Sequence, residues 1–455
     1  MKINIGIILF YLLATGAVAQ QAPLTLEQAV QQAISKYPAV RVSQEQVSAA
    51  AAAIKLARTS YLPRADFLAQ ANRATHNNVF GMFLPYVISP ISGPVLGTNS
   101  LSSVWGTAVG ATVAWEPFDF GLRKANIEIA ESGRNRAGAQ VNVTKLQVAA
   151  AAADAYLTIL AAQQTVTAAK AGVERARVLN QIVGTLVKNE LRPGAEESRT
   201  RAELAVAETQ LIQAEEAVDV GRATLAQLLG VSPQTIVVQP GPLLELPREQ
   251  QAAAALPASH PLAVAQDLTV AEIKSREKAL DRSYFPHFNL QGVSYARGTG
   301  VQPSGMTGGA ASGLGPNIQN WGIGLSVTFS VFELASIRAR KEIESYHERT
   351  EAARYDQVIQ DIVGQIEKAN ATLAGARRVA QNTPIQLQAA RDTEQQASAR
   401  YRAGLGNIVE VAEAQRILTQ AEIDDAPAKL GVWRSLLGPS TASGDVQPFV
   451  QHTIQ

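Results

Sequence analysis

Cysteine is absent from this chain of 455 residues, which excludes a disulfide framework, a thiolate metal site and a cysteine nucleophile. The absence also excludes lipid-anchored export, which acylates an N-terminal cysteine. The chain has no basic excess, since 40 basic and 39 acidic residues give a net charge of +1, so nucleic acid is not an expected partner. Beyond the N-terminus no run of 18 consecutive apolar residues occurs. A membrane role would therefore need a β-barrel or a surface contact.

The N-terminus has the pattern of a secretory signal peptide. Lys2 supplies the positive charge, Ile3–Leu13 the apolar core, and Ala17-Val18-Ala19 the small residues of a cleavage site. We expect cleavage after Ala19 and export, so 1–19 is predicted to be removed. The alternative, an N-terminal membrane anchor, is disfavoured because the apolar run is short.

Alternation of apolar with small or polar residues predicts four strands. It is clearest where Trp321, Ile323, Leu325, Val327, Phe329 and Val331 occupy every second position. Trp105 and Trp115 lie on one face, about 33 Å apart along the strand. If the strand is tilted as in a barrel, this separation projects to about 25 Å along the membrane normal, which matches the height of the apolar band of an outer-membrane barrel. A soluble sandwich with buried tryptophans is the alternative. The predicted strands are Arg64–Arg73, Trp105–Phe118, Phe285–Arg297 and Asn320–Phe332, with a long loop Asn77–Ser103 and an aromatic girdle of Trp105, Trp115, Trp321 and Phe329.

Apolar residues at alternating spacings of three and four predict long coiled-coil helices joined as antiparallel hairpins. Pro384 and Pro427 are expected to kink their helices. The predicted segments are a helix Leu24–Leu56, a hairpin of Gly121–Asn189 and Ala195–Gly230, a proline-rich linker Val231–Pro261, a helix Leu262–Leu280, a hairpin of Glu333–Arg402 and Asn407–Leu437, and a loose tail Gly438–Gln455.

The same order of elements occurs twice. Tyr61 and Pro63 match Tyr284 and Pro286 at an offset of 223 residues, and Gly110 matches Gly324 at an offset of 214. Such self-similarity indicates two structural repeats, 20–230 and 262–438, separated by 231–261. One chain then supplies four strands, which cannot close a barrel in lipid. We expect twelve strands from three chains, although the strand count alone also allows a dimer.

These features, together with short motifs, resemble those of TolC-family outer-membrane efflux proteins. The motifs are Leu24–Val30 with Tyr37-Pro38, Ser60–Pro63, Trp115–Gly121, Tyr401–Gly404 and Ala414-Gln415-Arg416. The resemblance implies an α+β membrane protein: a trimer with a shared twelve-stranded β-barrel, four strands from each chain, and a long periplasmic coiled-coil tunnel. It also makes 231–261 an equatorial linker.

The resemblance further implies a gate where the last hairpin returns. Val409, Glu410 and Glu413 match its constriction, and threefold symmetry would make rings of three carboxylates. The tip turns Arg192, Pro193, Gly194 and Gly404, Leu405, Gly406 would contact a periplasmic adaptor (membrane fusion) protein.

The expected function is a passive exit duct of tripartite efflux or type I secretion, not an enzyme. The duct would lie in the outer membrane with its helices in the periplasm. The expected partners are two further copies of the chain, the adaptor, an inner-membrane pump (RND, ABC or similar) and outer-membrane lipid. No cofactor, metal or nucleic acid is expected. The alternatives are a soluble periplasmic coiled-coil scaffold and an extracellular adhesin.

Overall fold

The computed structural model describes residues 23–75, 100–247, 256–302 and 304–453. The predicted signal peptide and residues 77–99 of the predicted loop lie outside them. The chain divides into two compact units. The first holds the residues up to Arg41, Thr144–His260 and Asp361 onward, and the second holds Val42–Val143 and Pro261–Gln360. Each unit takes residues from both sequence repeats, so the units do not coincide with the repeats.

Nine α-helices are described, and four strands form one sheet. The helices are α1 Leu26–Lys36, α2 Pro38–Thr59, α3 Leu122–Lys188, α4 Gly194–Leu229, α5 Pro261–Arg282, α6 Glu333–Arg402, α7 Ile408–Asp425, α8 Ala428–Ala442 and α9 Gln447–His452. The strands are β1 Arg64–Thr75, β2 Ser103–Phe118, β3 His287–Thr299 and β4 Ile318–Thr328. The linker contains short 3-10 turns at Pro233–Thr235, Gly241–Leu244 and Pro257–Ser259.

The sheet of the second unit is antiparallel throughout, in the order β1-β2-β3-β4. Its register places Trp115 opposite Leu290 and Leu290 opposite Leu325, so apolar residues share one face. That face is exposed: Phe67 is 90 % accessible and Trp321 79 %. On the other face Ala108, Val293 and Tyr295 are buried and pack with Leu68. The alternation in the sequence therefore identifies an apolar outer face and a separate inner cluster.

A buried ion pair holds the start of α3 in the second unit. Asp119 accepts hydrogen bonds from the backbone N–H groups of Gly121 (3.1 Å) and Arg123 (2.6 Å), and from Arg123 Nε (2.9 Å). The Arg123 guanidinium lies 4.7 Å from the centre of the Tyr61 ring. Burial by itself raises the pKa of Asp119, but the hydrogen bonds and charge of Arg123 outweigh it and lower the pKa. The helix thus begins at a fixed, ionised cap.

The core of the first unit is built around α3. Tyr156, Leu157 and Leu160 are fully buried there. The Tyr156 hydroxyl accepts from Gln239 N (3.1 Å) and has two carbonyl acceptors within reach, Leu24 O (2.8 Å) and Gln239 O (2.6 Å). Burial raises the pKa of Tyr156 to about 12, so the hydroxyl remains a donor at neutral pH. This contact fixes the parallel bridge between Leu24 and Val238 to the helix.

One expectation for the helices needs correction. The predicted helix Leu24–Leu56 is two helices, because Tyr37 takes an extended conformation (φ −65°, ψ 126°) ahead of Pro38. The residue before a proline is disfavoured in the α region, which accounts for the break. Pro384 lies inside α6, as expected, and the helix continues on both sides of it.

The predicted return helix Asn407–Leu437 is divided at Pro427 into α7 and α8, as that proline suggested. The expectation of a loose tail from Gly438 to Gln455 is wrong. α8 continues through Pro439 to Ala442, and α9 follows. Phe449 is buried in the core, and its ring centre lies 6.3 Å from that of Trp433. Removing the apolar side chains of α9 from water is favourable in free energy, so this segment packs against the core.

Candidate gate at the helical turns

The two hairpin turns of the first unit have the same backbone geometry. In the second turn Leu405 N donates to Arg400 O (2.9 Å) and Gly404 N to Tyr401 O (3.0 Å). In the first turn Leu191 N donates to Leu186 O (2.9 Å) and Glu190 N to Val187 O (2.9 Å). Both patterns are Schellman motifs, which need a left-handed residue: Gly404 at φ 73° and Glu190 at φ 58°.

The equivalent positions of these turns differ by 214 residues, the offset that also relates Gly110 to Gly324. Sequence reasoning placed the first turn at Arg192, Pro193 and Gly194 because of its proline and glycine. The structure places those residues just after the turn, where Pro193 precedes the first residue of α4. The residues that were missed are Glu190 and Leu191, and the offset would have identified them. Leu191 and Leu405 are equivalent and exposed, at 67 % and 73 %.

Tyr401 connects the end of α6 to the beginning of α4. Its ring is buried with Val183 and Ile408. Its hydroxyl donates to Glu196 Oε2 (3.1 Å), and the Arg192 guanidinium lies 4.9 Å from the ring centre. Burial raises the pKa of Tyr401, and the carboxylate of Glu196 raises it further, so the phenol stays protonated and donates. Neither Tyr401 nor Glu196 was among the predicted gate residues, although a tyrosine in the last turn of a long helix was a visible signal.

The predicted gate residues lie in the first two turns of α7. Asn407 caps this helix, since its Oδ1 accepts from Glu410 N (3.0 Å) and its Nδ2 donates to Glu410 Oε1 (3.2 Å). Val409, Glu413 and Arg416 follow at helical spacing on one face and are exposed, whereas Ile408 and Val411 are buried on the other. The structure thus places the three predicted residues, Val409, Glu410 and Glu413, together on the exposed side of the helix.

The charge of this stripe is balanced within each chain. Arg416 donates to both carboxylate oxygens of Glu413, at 2.6 and 3.1 Å. This hydrogen bonding, with the nearby charges of Arg416 and Arg199, lowers the pKa of Glu413. Glu410 lies 3.9 Å from the guanidinium of Arg400. The stripe therefore presents ion pairs, not bare carboxylates.

A partly buried polar contact ties α7 to α3 further along. Arg175 donates to both carboxylate oxygens of Glu422 (2.5 and 3.2 Å) and to Thr419 Oγ1 (3.1 Å). Gly172 lies against the Thr419 side chain: a Cβ at this glycine would come within 2.7 Å of Thr419 Cγ2. The close approach and the ion pair together fix the position of α7 beyond the exposed stripe.

The predicted aromatic girdle lies on the sheet or beside it. Trp105 packs under Arg73, whose guanidinium is 5.3 Å from the ring centre, and Trp115 donates from its indole N–H to Tyr61 O (3.1 Å). Trp321 is exposed on β4. Phe329 follows β4 and is also exposed, at the position that corresponds to Trp115 by the offset of 214.

Other kinds of site receive little support. No group of three His, Asp or Glu side chains suited to a metal ion occurs in the parts of the chain that the structure describes. Among the described helices, α3 alone is long and apolar enough to cross a membrane, but 56 % of that stretch is buried in the structure. Such a helix is weak evidence for a membrane span.

Comparison with known proteins establishes the family. The model of the outer membrane efflux protein family matches residues 29–231 and 256–436. The chain belongs to the outer membrane efflux protein family, which confirms the resemblance inferred from its motifs. The family is one of outer-membrane efflux proteins and not of enzymes.

Protein CyaE of Bordetella pertussis is 28 % identical over 221 residues, which are 48 % of this chain and 43 % of CyaE. The match thus spans less than half of that relative. Among solved structures, VceC of Vibrio cholerae has a TM-score of 0.70 at 15 % identity, with 92 % of this chain and 96 % of that chain covered. The open state of the MtrE channel of Neisseria gonorrhoeae also scores 0.70, at 17 % identity, with 92 % and 89 % covered. At these identities the two structures show a shared fold.

Proposed function

We propose that this chain forms a homotrimeric exit duct in the outer membrane. Three chains supply twelve strands to one barrel, and exported compounds pass through it to the exterior without energy input in the duct itself. An inner-membrane pump of the RND, ABC or a similar class provides the energy, and a periplasmic adaptor connects pump and duct.

The exposed apolar face of the sheet carries this proposal. Phe67, Val113, Trp321, Ile323 and Leu325 lie on that face, and no described residue of the chain covers them. Contact with the hydrocarbon of a membrane stabilises such an apolar face, whereas in water the same face would promote aggregation. The second candidate, a soluble periplasmic scaffold, accounts for the helices but leaves this face in water.

Closure of the duct is assigned to the stripe on α7. Three copies of Val409 would narrow the path, and the pairs Glu413–Arg416 and Glu410–Arg400 would set its electrostatic character. The hydrogen bond from Tyr401 to Glu196 supports this assignment, because it joins the last turn of α6 to α4 beside the stripe. Breaking that bond would free the turn that precedes α7.

The two tip turns are assigned to adaptor binding. Leu191 and Leu405 are exposed apolar side chains at equivalent positions of two similar turns. In the sequence Leu191 is followed by Arg192 and Pro193, and Leu405 is followed by Gly406. In a trimer they would give six similar apolar contacts. Exposed apolar side chains gathered at one end of a molecule are typical of a surface that contacts another protein.

The proposal is tested by planar-bilayer recordings of the purified mature protein. We expect discrete conductance steps. Replacing Glu413 by Gln leaves Arg416 without its carboxylate and should shift the reversal potential toward anion preference. The matched control is Glu216→Gln, an exposed carboxylate on α4 away from the turns, which should leave the reversal potential unchanged. A protein that is soluble without detergent and gives no conductance would reject the duct and favour the periplasmic scaffold.

A further inference from the structure

A groove of about 680 Å³ lies between α6 and α7 in the first unit, beside the last turn of α7. Its volume is within the range of small-molecule sites, roughly 300–1,000 Å³. Next to the groove the two helices are in close contact, since Leu387 of α6 packs with Leu418 and Ala421 of α7. Within the groove a Cβ at Gly375 would point into open space. The two helices thus enclose a space large enough for a small ligand.

The lining of the groove includes a buried hydroxyl that makes no hydrogen bond. Thr383 is only 5 % exposed, and its Oγ1 has no partner among the described residues. Other threonines of α6 satisfy their hydroxyls within the helix, since Thr372 donates to Lys368 O (2.9 Å) and Thr393 donates to Ala389 O (2.8 Å). Leaving a buried hydroxyl unpaired is unfavourable. The Thr383 hydroxyl therefore indicates a ligand with a polar group that reaches it.

The groove carries one charge of each sign, and neither has an ion-pair partner in the part of the chain that the structure describes. Arg378 of α6 is exposed at the groove and makes no hydrogen bond to a described residue. Asp424 of α7 accepts hydrogen bonds from the neutral amides of Gln420 (2.8 Å) and Gln386 (3.4 Å). Asp424 also lies in the last turn of α7, where the helix dipole favours a cation. The two charges suit a ligand that carries both an anionic and a cationic group.

We propose that this groove binds a small zwitterion that has a carboxylate, an ammonium group and an apolar body. The carboxylate binds the Arg378 guanidinium and accepts a hydrogen bond from the Thr383 hydroxyl, and the ammonium group binds the Asp424 carboxylate. The apolar body contacts Val379, which is 55 % exposed, and Ile423 on the facing helix. This inference goes beyond the proposed duct, because the groove lies within one chain and does not need the barrel.

Three probes that share one apolar body test the two charges separately. The zwitterion is para-trifluoromethyl-phenylalanine, its N-acetyl derivative is an anion, and its primary amide is a cation at neutral pH. Binding to the detergent-extracted mature protein is measured by broadening of the fluorine NMR signal, with empty micelles as the blank. Loss of one charged contact corresponds to about tenfold weaker binding, so we expect the zwitterion to bind about tenfold more tightly than either derivative. Equal or tighter binding of the anion or the cation would overturn the proposal.

Variants of the groove show where the zwitterion binds. Arg378→Gln and Thr383→Val should each weaken its binding about tenfold, and Gly375→Phe, which fills the groove, should abolish it. Thr383→Val removes a buried hydroxyl that has no partner, so thermal stability should be unchanged or higher, which separates binding from folding. The matched control is Arg391→Gln, an exposed arginine of α6 outside the groove, which should leave binding unchanged. Unchanged binding in Arg378→Gln or Thr383→Val, or no binding of the zwitterion to a trimer that still conducts, would overturn the proposal and leave the duct intact.

Discussion

Removing the Tyr401 hydroxyl should loosen the gate. In Tyr401→Phe the ring keeps its packing against Val183 and Ile408, and only the hydrogen bond to Glu196 is lost. A hydrogen bond to a charged acceptor contributes roughly 1.5–3 kcal/mol. Glu196 keeps some solvent contact and a second partner, Arg192 at 3.8 Å, so the lower value of about 1.5 kcal/mol applies. That corresponds to about a tenfold shift toward the open gate for each chain.

The assay is the open probability of single channels in planar bilayers at neutral pH, where the phenol is protonated. If the three chains open together, the shifts multiply and the variant should be open most of the time. The control is Tyr346→Phe, which removes an exposed hydroxyl from the same helix. An open probability for Tyr401→Phe equal to that of Tyr346→Phe would refute the assignment of Tyr401 as a contact that holds the gate closed.

Three further predictions concern stability and are read from thermal or acid unfolding. Gly172→Ala forces a Cβ against Thr419 and should cost about 1–3 kcal/mol, whereas Gly375→Ala, a helical glycine with open space, should stabilise by up to about 1 kcal/mol. Equal effects would contradict the close approach of α3 and α7. Phe449→Ala should lower the free energy of unfolding by about 3–5 kcal/mol, because Phe449 is buried. An unchanged stability would show instead that the C-terminal segment is loose. The pKa of Asp119 is lowered in the folded state. The ionised carboxylate therefore stabilises the fold fully above its ordinary pKa of 3.8, and this stabilisation is lost as the pH falls from there through the lowered pKa. Asp119→Asn should reduce the loss of folding stability at acid pH. An unchanged dependence of stability on pH would contradict the role of Asp119 as a cap.

The strands and long helices could be predicted because each has one dominant period. From Trp321 onward every second residue of β4 is apolar, and the register of the sheet puts these residues on one exposed face. The seam residues Ala153, Leu157 and Leu160 of α3 are buried as their spacing indicated. Periodicity of this kind reports which face is covered, and it depends little on the rest of the chain.

The errors lie where tertiary contacts outweigh local preference. Glycine and proline marked the first turn at Pro193 and Gly194, but Glu190 takes the left-handed conformation, held by the backbone hydrogen bonds of Leu191 and Glu190. A non-glycine residue there costs roughly 1–2 kcal/mol, so composition alone points elsewhere. Likewise the segment from Gly438 onward was expected to be a loose tail, yet burial of α9 holds it in the core.

The candidate gate was predictable in position and not in detail. Val409, Glu410 and Glu413 followed from motif resemblance, and the structure gathers them on the exposed side of α7. The ion pair Glu413–Arg416 lies within α7 at a spacing of three residues, whereas the contact of Tyr401 with Glu196 joins two separate helices. Sequence spacing within one helix cannot give the second of these.

The proposed duct requires that three copies of this chain share one barrel in the outer membrane. The most direct measurement is the native mass of the mature protein, extracted from the membrane fraction in mild detergent, with the detergent contribution subtracted. We expect a species of three chain masses that is found in the outer membrane and needs detergent to stay in solution. A monomer or dimer in the periplasmic fraction that is soluble without detergent would contradict it.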